Sequence, residues 1–237
     1  MRVVAVIPAR YQSSRFPGKP LAVIAGRTMI ERVYRQAEAA QCFTRVIVAT
    51  DDERIRAEVT RFGGNVEMTD SNIKSGTERV AAVVERLDAD AVVNVQGDEP
   101  LIPPALVREV ALALEREAVV SAARFNDAYD DFLSRHVVKV VCDGRERALY
   151  FSRAPIPFAD AGAFSGFRQH IGIYGYSKEA LRAFIAAAAP ELERRESLEQ
   201  LRFLHLGLPI RIVMTDFVAH GVDIPADIDR IERMIRS

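Results

Sequence analysis

Residues 3–20 constrain the fold more than any other part of the chain. Val3-Val4-Ala5-Val6-Ile7 is an apolar run of strand length, the pattern of a strand buried on both faces. Pro8 ends it. Ala9 to Pro20 then carries Arg10, Arg15 and Lys19, two serines and Gly18, and Pro17 and Pro20 forbid a regular helix. A buried parallel strand that empties into such a loop brings cations to the carboxyl edge of a sheet, where open α/β sheets bind ligands. The stretch reads as a polyphosphate cradle; the competing reading is a basic surface loop.

The balance of charge narrows the ligand. The 237 residues include 32 basic and 33 acidic side chains, for a net charge of −1. A nucleic-acid binder would carry a basic surplus, so the basic loop serves a small anion. Cys42 and Cys142 stand alone in the sequence, without a CxxC pair, which suits two reduced thiols in a cytoplasmic protein. No apolar run is long enough for a membrane span, and none at the start suits a signal peptide. Composition does not shift along the chain, so one domain over 1–237 is expected.

Strands and helices alternate. Thr28 suits a cap for a helix with Met29, Ile30, Val33, Tyr34 and Ala37 inside. Arg45–Thr50 reads as a strand, Asp51 as the cap of a helix to Phe62, and Val66–Met68 as a short strand. Ser75 or Thr77 opens the next helix, whose free N–H groups suit an anion or a base carbonyl, or simply a cap. This order predicts right-handed crossovers and a mainly parallel sheet. No GxGxxG follows the first strand, which argues against a nicotinamide or flavin.

Ala91–Val95 runs into Gln96-Gly97-Asp98-Glu99-Pro100. If the first strand is its neighbour, Asp98 faces the basic loop. It then either neutralises Arg10 or Arg15, or serves as a hard-oxygen ligand for Mg²⁺ that bridges carboxylate and phosphate. Glu99 reads as a cap or loop contact. Further on, Lys139 sits alone in an apolar strand and reads as a snorkelling edge lysine. Arg153 precedes a proline-rich turn, and a positioned Arg suits a carboxylate. His170 begins an alternating strand, where a structural role competes with a catalytic one. Glu199 and Gln200 read as a surface pair on a helix over Glu196–Leu204. Asp223 follows a glycine, and is either a turn residue or a second metal carboxylate.

Several stretches together resemble one family. IPARYQSSRFPGKPL, SGTERVA, VVNVQGDEPLIP, VKVV followed by ALYFSRAPIP, HIGIYGY and ESLEQLRFL occur in this order. They resemble the CMP-KDO synthetases (3-deoxy-manno-octulosonate cytidylyltransferases) from Arg2 to about Asp227. The resemblance implies an α/β fold of the nucleotide-diphospho-sugar transferase type: a Rossmann-like, mixed but mainly parallel sheet flanked by helices. A small β-rich dimerisation extension over about 148–176 is implied with it. The implied reaction joins CTP to KDO, an eight-carbon 3-deoxy-ulosonic acid, and releases pyrophosphate. Two Mg²⁺ ions are implied, as are a cytoplasmic homodimer and a place in lipopolysaccharide or capsule synthesis.

Residue by residue, the resemblance assigns Arg10, Arg15 and Lys19 to the triphosphate and Asp98 and Asp223 to Mg²⁺. Ala9, Ser14, Arg79 and Gln96 would frame the cytosine and ribose. Arg153, His170, Tyr174, Glu199 and Gln200 would meet the sugar. The chain departs from the family pattern at Leu133–Val137, in a short stretch from Phe158 to Gln169, and at Ala219–Pro225. The acceptor therefore stays open between KDO, its 8-amino analogue and another ulosonic acid such as a sialic acid. A glycosyltransferase would be expected to show D-x-D where this chain has Gln-Gly-Asp. A CTP-binding module without activity would leave Arg153, His170 and Glu199 unexplained.

Overall fold

A computed structural model describes every residue except Ser14, Lys74, Ala161, Ala163 and Ser237. The chain divides into two compact units, Met1–Ala111 with Ala219–Ser237, and Leu112–Val218.

In chain order the first unit contains β1 (Val3–Ala9), a 3₁₀ turn (Lys19–Leu21), and a hairpin of β2 (Val23–Ile24) and β3 (Arg27–Thr28). It continues with α1 (Met29–Ala39), β4 (Arg45–Thr50), α2 (Glu53–Arg61), β5 (Asn65–Met68), α3 (Gly76–Val84), β6 (Ala91–Val95) and all but the last two residues of α4 (Pro104–Ala113). β1 lies between β4 and β6 and pairs with both in parallel, and β5 extends the sheet beyond β4. A strand paired on both sides and covered on both faces has no polar positions to offer, and β1 is buried almost throughout. The register sets Ala9 beside Thr50, and Val6 beside Asn94. The loops that leave β1, β4 and β6 therefore emerge at one carboxyl edge.

Local chemistry explains the helices. The apolar positions expected on α1 are all buried, and Thr28 caps it by accepting from Glu31 N–H. Ser75 and Glu78 form a reciprocal capping box on α3. The cap of α2 is Asp52 rather than Asp51; Asp51 is drawn off to pair with Arg79.

The second unit contains β7 (Val119–Asn126), α5 (Tyr129–Leu133), β8 (Lys139–Cys142), β9 (Ala148–Ser152), β10 (Phe167–Ser177), α6 (Lys178–Ala186), α7 (Glu191–Glu196), α8 (Leu201–His205) and β11 (Ile210–Met214). β7 pairs in parallel with β11 and antiparallel with β10, and β8 pairs antiparallel with both β9 and β10. Ile171 stands opposite Ala122, but Tyr174 stands opposite Ser121, so Gly172 and Ile173 bulge out of β10. Bulges of this kind re-aim side chains and collect near functional sites. With helices packed on strands that are all parallel in the first unit's sheet and mixed in the second, the fold is the expected α/β class.

Two expectations are corrected here. Lys139 is no edge lysine: β8 is paired on both sides and the side chain is fully buried. The helix expected over Glu196–Leu204 breaks, because Ser197 takes a left-handed conformation (φ 52°) that closes α7, and α8 begins only at Leu201. Phe151 and Phe167 are core residues, whereas Phe158 is exposed.

The chain ends in α9 (Asp227–Arg236), which returns to the first unit. Ile231 and Val222 are fully buried in a cluster with Ile24 and Met29, against which Phe16, Leu101, Ile228 and Ile235 pack. Burial of Val222 fixes where Asp223 stands. Gly97 passes so close to β1 that a Cβ there would stand 2.9 Å from the Pro8 carbonyl oxygen. Gly97→Ala should therefore cost about 1–3 kcal/mol, read as a Tm several degrees lower in a thermal melt. An unchanged Tm would contradict this close approach.

Candidate active site

The carboxyl edge of the first sheet gathers charge from three distant parts of the sequence. Lys19 Nζ donates to Asp98 Oδ2 at 2.8 Å and to the Val222 carbonyl at 2.8 Å, and lies 3.9 Å from Asp223 Oδ1. Arg15 pairs with Asp223 at 3.0 and 3.1 Å. The Val222 N–H donates back to the Asp98 carbonyl. Asp227, not Asp223, does the work of the turn, accepting from the Asp223 and Ile224 N–H groups. That leaves the Asp223 carboxylate to the cations. Glu99 lies behind the pair: burial, then the charge of Asp98, pushes its carboxyl up to about 7.

The basic loop is clamped rather than loose. Gly18 takes a positive φ of 73° and donates to the Tyr11 carbonyl, a conformation glycine adopts without steric cost. The Tyr11 ring packs against Gly18 on one side, and the Arg54 guanidinium stacks on it. Arg54 is held in turn by both carboxylate oxygens of Asp52. Arg10 lies exposed at the loop's start.

Four residues were expected around the base and ribose. Ala9 is buried at the end of β1, and Gln96 donates to Asn94 Oδ1 at 3.3 Å. Ser14 lies outside the described residues. Arg79 is fully buried in α3; its guanidinium binds Thr69 Oγ1, Asp51 Oδ2 and the Ile73 carbonyl. It therefore holds the loop after β5 in place from behind.

An oxygen-ligated divalent cation fits this edge. Two carboxylates converge on one ammonium, so positive charge between them is already stabilised. Among the described residues no group of three or more His, Cys, Asp or Glu is arranged to hold a metal. Asp98 and Asp223 would be the carboxylates to hold such an ion.

The residues expected to meet the sugar gather within the second unit. Arg153 Nε donates to the Glu196 carbonyl at 2.7 Å and its Nη1 to the Arg135 carbonyl at 3.1 Å. Its Nη2 donates to the Ser197 carbonyl at 3.4 Å; all three partners are neutral carbonyls, so its charge is left for an anion. The half-buried His170 ring packs edge-on against Phe151 and at a tilt beside Tyr174. Desolvation lowers its pKa to about 3. Desolvation, then Glu199, raises Tyr174 above the usual phenol value. Tyr174 donates to Gln200 Oε1 at 3.4 Å, and Gln200 Nε2 is buried without a hydrogen-bond partner. Glu199 is half-buried beside it.

Two residues here escaped sequence reasoning. Lys139 Nζ donates to the Ser134 carbonyl at 2.6 Å and the Arg153 carbonyl at 3.0 Å, tying the segment after α5 to Arg153. Glu196 accepts from Ser152 Oγ and Arg153 N–H. The one signal was the Lys139 charge inside an apolar strand, which by itself reads as a snorkelling edge lysine.

A sheet edge that sets cations against paired carboxylates defines a nucleotide-handling α/β protein, and the comparisons agree. A cytidylyltransferase family profile matches residues 4–212. The 3-deoxy-manno-octulosonate cytidylyltransferase of Myxococcus xanthus is 48% identical over 241 residues, covering 100% of this chain and 97% of its own. The one from Syntrophotalea carbinolica is 47% identical over 248 residues, covering 100% and 99%. A solved structure of CMP:2-keto-3-deoxy-manno-octonic acid synthetase complexed with CTP aligns with TM-score 0.95 at 37% identity, covering 100% of this chain and 99% of its own. The chain belongs to the cytidylyltransferase family, and within it to the 3-deoxy-manno-octulosonate cytidylyltransferases.

The neutral His170 makes a prediction about pH. Its folded pKa of about 3 lies below the ordinary 6.5. Below pH 6.5 the unfolded chain takes up a proton that the folded chain refuses, so stability rises with pH there. The contribution is complete above 6.5 and is lost as pH falls toward 3. Wild type should lose about 2 kcal/mol more than His170→Gln between pH 7.5 and pH 5. Urea denaturation of both proteins at the two pH values measures this, and equal losses would show that the folded ring ionises freely.

Proposed function

We propose that this chain transfers the cytidylyl group of CTP to the anomeric hydroxyl of KDO, giving CMP-KDO and pyrophosphate. The observation that carries the reading is the meeting of Lys19, Arg15, Asp98 and Asp223 at one sheet edge, in a chain whose relatives bear that activity in their names.

The anomeric hydroxyl attacks the α-phosphorus in line, the bond to the bridging β-phosphate oxygen breaks, and the hydroxyl proton passes to solvent. Such a transfer needs positioning and charge stabilisation more than covalent chemistry. Arg10, Arg15 and Lys19 bind the triphosphate. Lys19 is held by the Val222 carbonyl as well as by Asp98, so it keeps a fixed place against the charge growing on pyrophosphate. Asp98 and Asp223 hold Mg²⁺, which when bound neutralises phosphate charge at the reacting centre. Ala9, Ser14 and Gln96 frame the nucleoside, and Arg79 supports them through the loop it anchors. Arg153 takes the sugar carboxylate, while His170, Tyr174, Glu199 and Gln200 meet the hydroxyls.

The reading includes a homodimer in which the β9–β10 region forms much of the contact. Leu149 and Phe158 are 63% and 86% exposed there, which supports it. The cytoplasm, with its CTP and its reducing conditions, suits two free cysteines. A role in lipopolysaccharide or capsule synthesis follows from the product.

Pyrophosphate release in the presence of CTP and Mg²⁺ tests the proposal, with KDO, its 8-amino analogue and N-acetylneuraminic acid as acceptors. KDO should be preferred, and Asp98→Ala should reduce the rate by about a thousandfold, the scale of losing a charge-stabilising group. A preference for another acceptor would move the substrate and keep the reaction. Absence of release with every acceptor, from a folded protein that binds CTP, would overturn the activity.

A further inference from the structure

Ser121 is the one polar residue in the Val119–Ala123 run of β7, and it is fully buried. Its Oγ lies 2.9 Å from His170 Nε2 and 2.9 Å from the Ile173 carbonyl oxygen. Ile173 belongs to the β10 bulge, and His170 stands just before it. The bulge therefore brings a carbonyl and an imidazole to the same hydroxyl.

That arrangement has one consistent set of protons. A serine hydroxyl has a single proton, and a carbonyl oxygen can only accept. If Ser121 donated to His170, two oxygen lone pairs would face each other at 2.9 Å in a buried site. If Ser121 donates to Ile173, then Nε2–H donates to Oγ and both contacts are attractive. The ring is thereby set as the Nε2–H tautomer, with a lone pair on Nδ1. No other hydrogen bond to the ring is present among the described residues. Packing by Phe151 and Tyr174 holds the ring plane.

We propose that Ser121 is a positioning residue for the acceptor sugar: it sets the His170 tautomer so that Nδ1 accepts a hydrogen bond from a sugar hydroxyl. This rests on the reading of His170 as a sugar contact and gives that contact a direction. A lone pair repels a carboxylate, so His170 discriminates a hydroxyl donor, and the sugar's carboxylate is left to Arg153. The low pKa of the ring is consistent with this, since a neutral imidazole keeps one acceptor nitrogen.

The tautomer is read directly from long-range ¹H–¹⁵N spectra of histidine-labelled protein, with His170 assigned by the signal missing from His170→Gln. Wild type should show a neutral ring protonated at Nε2; a ring protonated at Nδ1 would overturn the proposal without any activity being measured. Ser121→Ala should give a mixed tautomer and raise the KM for KDO about tenfold, the scale of one hydrogen bond of about 1.4 kcal/mol. Its KM for CTP should stay within about twofold, because the serine does not act on the nucleotide. A purely structural serine would instead lower Tm and leave the tautomer and the sugar KM as they are. His170→Gln keeps a donor toward Ser121 but takes the acceptor away from the Nδ1 position, so it too should raise the KM for KDO. An unchanged sugar KM in His170→Gln, with the Nε2–H tautomer seen in wild type, would instead overturn the sugar contact itself.

Discussion

The ammonium of Lys19 is the contact on which the first unit's site depends. It touches a carboxylate at position 98 and a carbonyl at position 222, with the carboxylate of Asp223 close by. These residues come from the loop after β1, the loop after β6 and the returning C-terminal segment. Lys19 is only 16% exposed at its side chain, so its pairing is less screened than a surface ion pair and its charge must be answered nearby. The result is a set of charges whose geometry exists before any anion arrives. Preorganisation of this kind lets a site stabilise developing charge without reorganising at the moment of reaction.

Backbone does as much of this positioning as side chains. Gly97 lets β6 leave the sheet against the Pro8 carbonyl. Gly18 turns the basic loop back on Tyr11, where Arg54 and Asp52 hold it. Val222 is buried in an apolar cluster with α9, which anchors Asp223 by hydrophobic contact one residue away.

The second unit solves a different problem. Two of its cations are held by neutral acceptors: Arg153 by carbonyls of residues 196, 135 and 197, and Lys139 by carbonyls of residues 134 and 153. Carbonyl partners fix a cation's position without cancelling its charge, which suits an acid-bearing ligand. Desolvation favours the neutral forms of His170 and Tyr174, which offers hydrogen bonds there rather than charge.

The strands, most helix starts and the identities of the charged residues were legible in the chain. Buried parallel strands read as apolar runs, and caps and helical periods are local. The ordered motifs carried the family as well. What the chain left open were choices between partners. Lys139 read as a snorkelling edge lysine and is instead fully buried, because β8 is paired on both sides. Asp51 read as the cap of α2, but it pairs with the buried Arg79 and Asp52 caps the helix instead. Asp223 could have served its own turn, until Asp227 took that place. Ser121 carried no signal beyond one hydroxyl in an apolar run; its meaning depends on a two-residue bulge in another strand. The sequence by itself determined which groups are present and the class of chemistry they suit, because residue type and local pattern suffice for that. Tertiary structure alone decided which group faces which, because those contacts join residues as far apart as 19 and 222, and no local pattern encodes them.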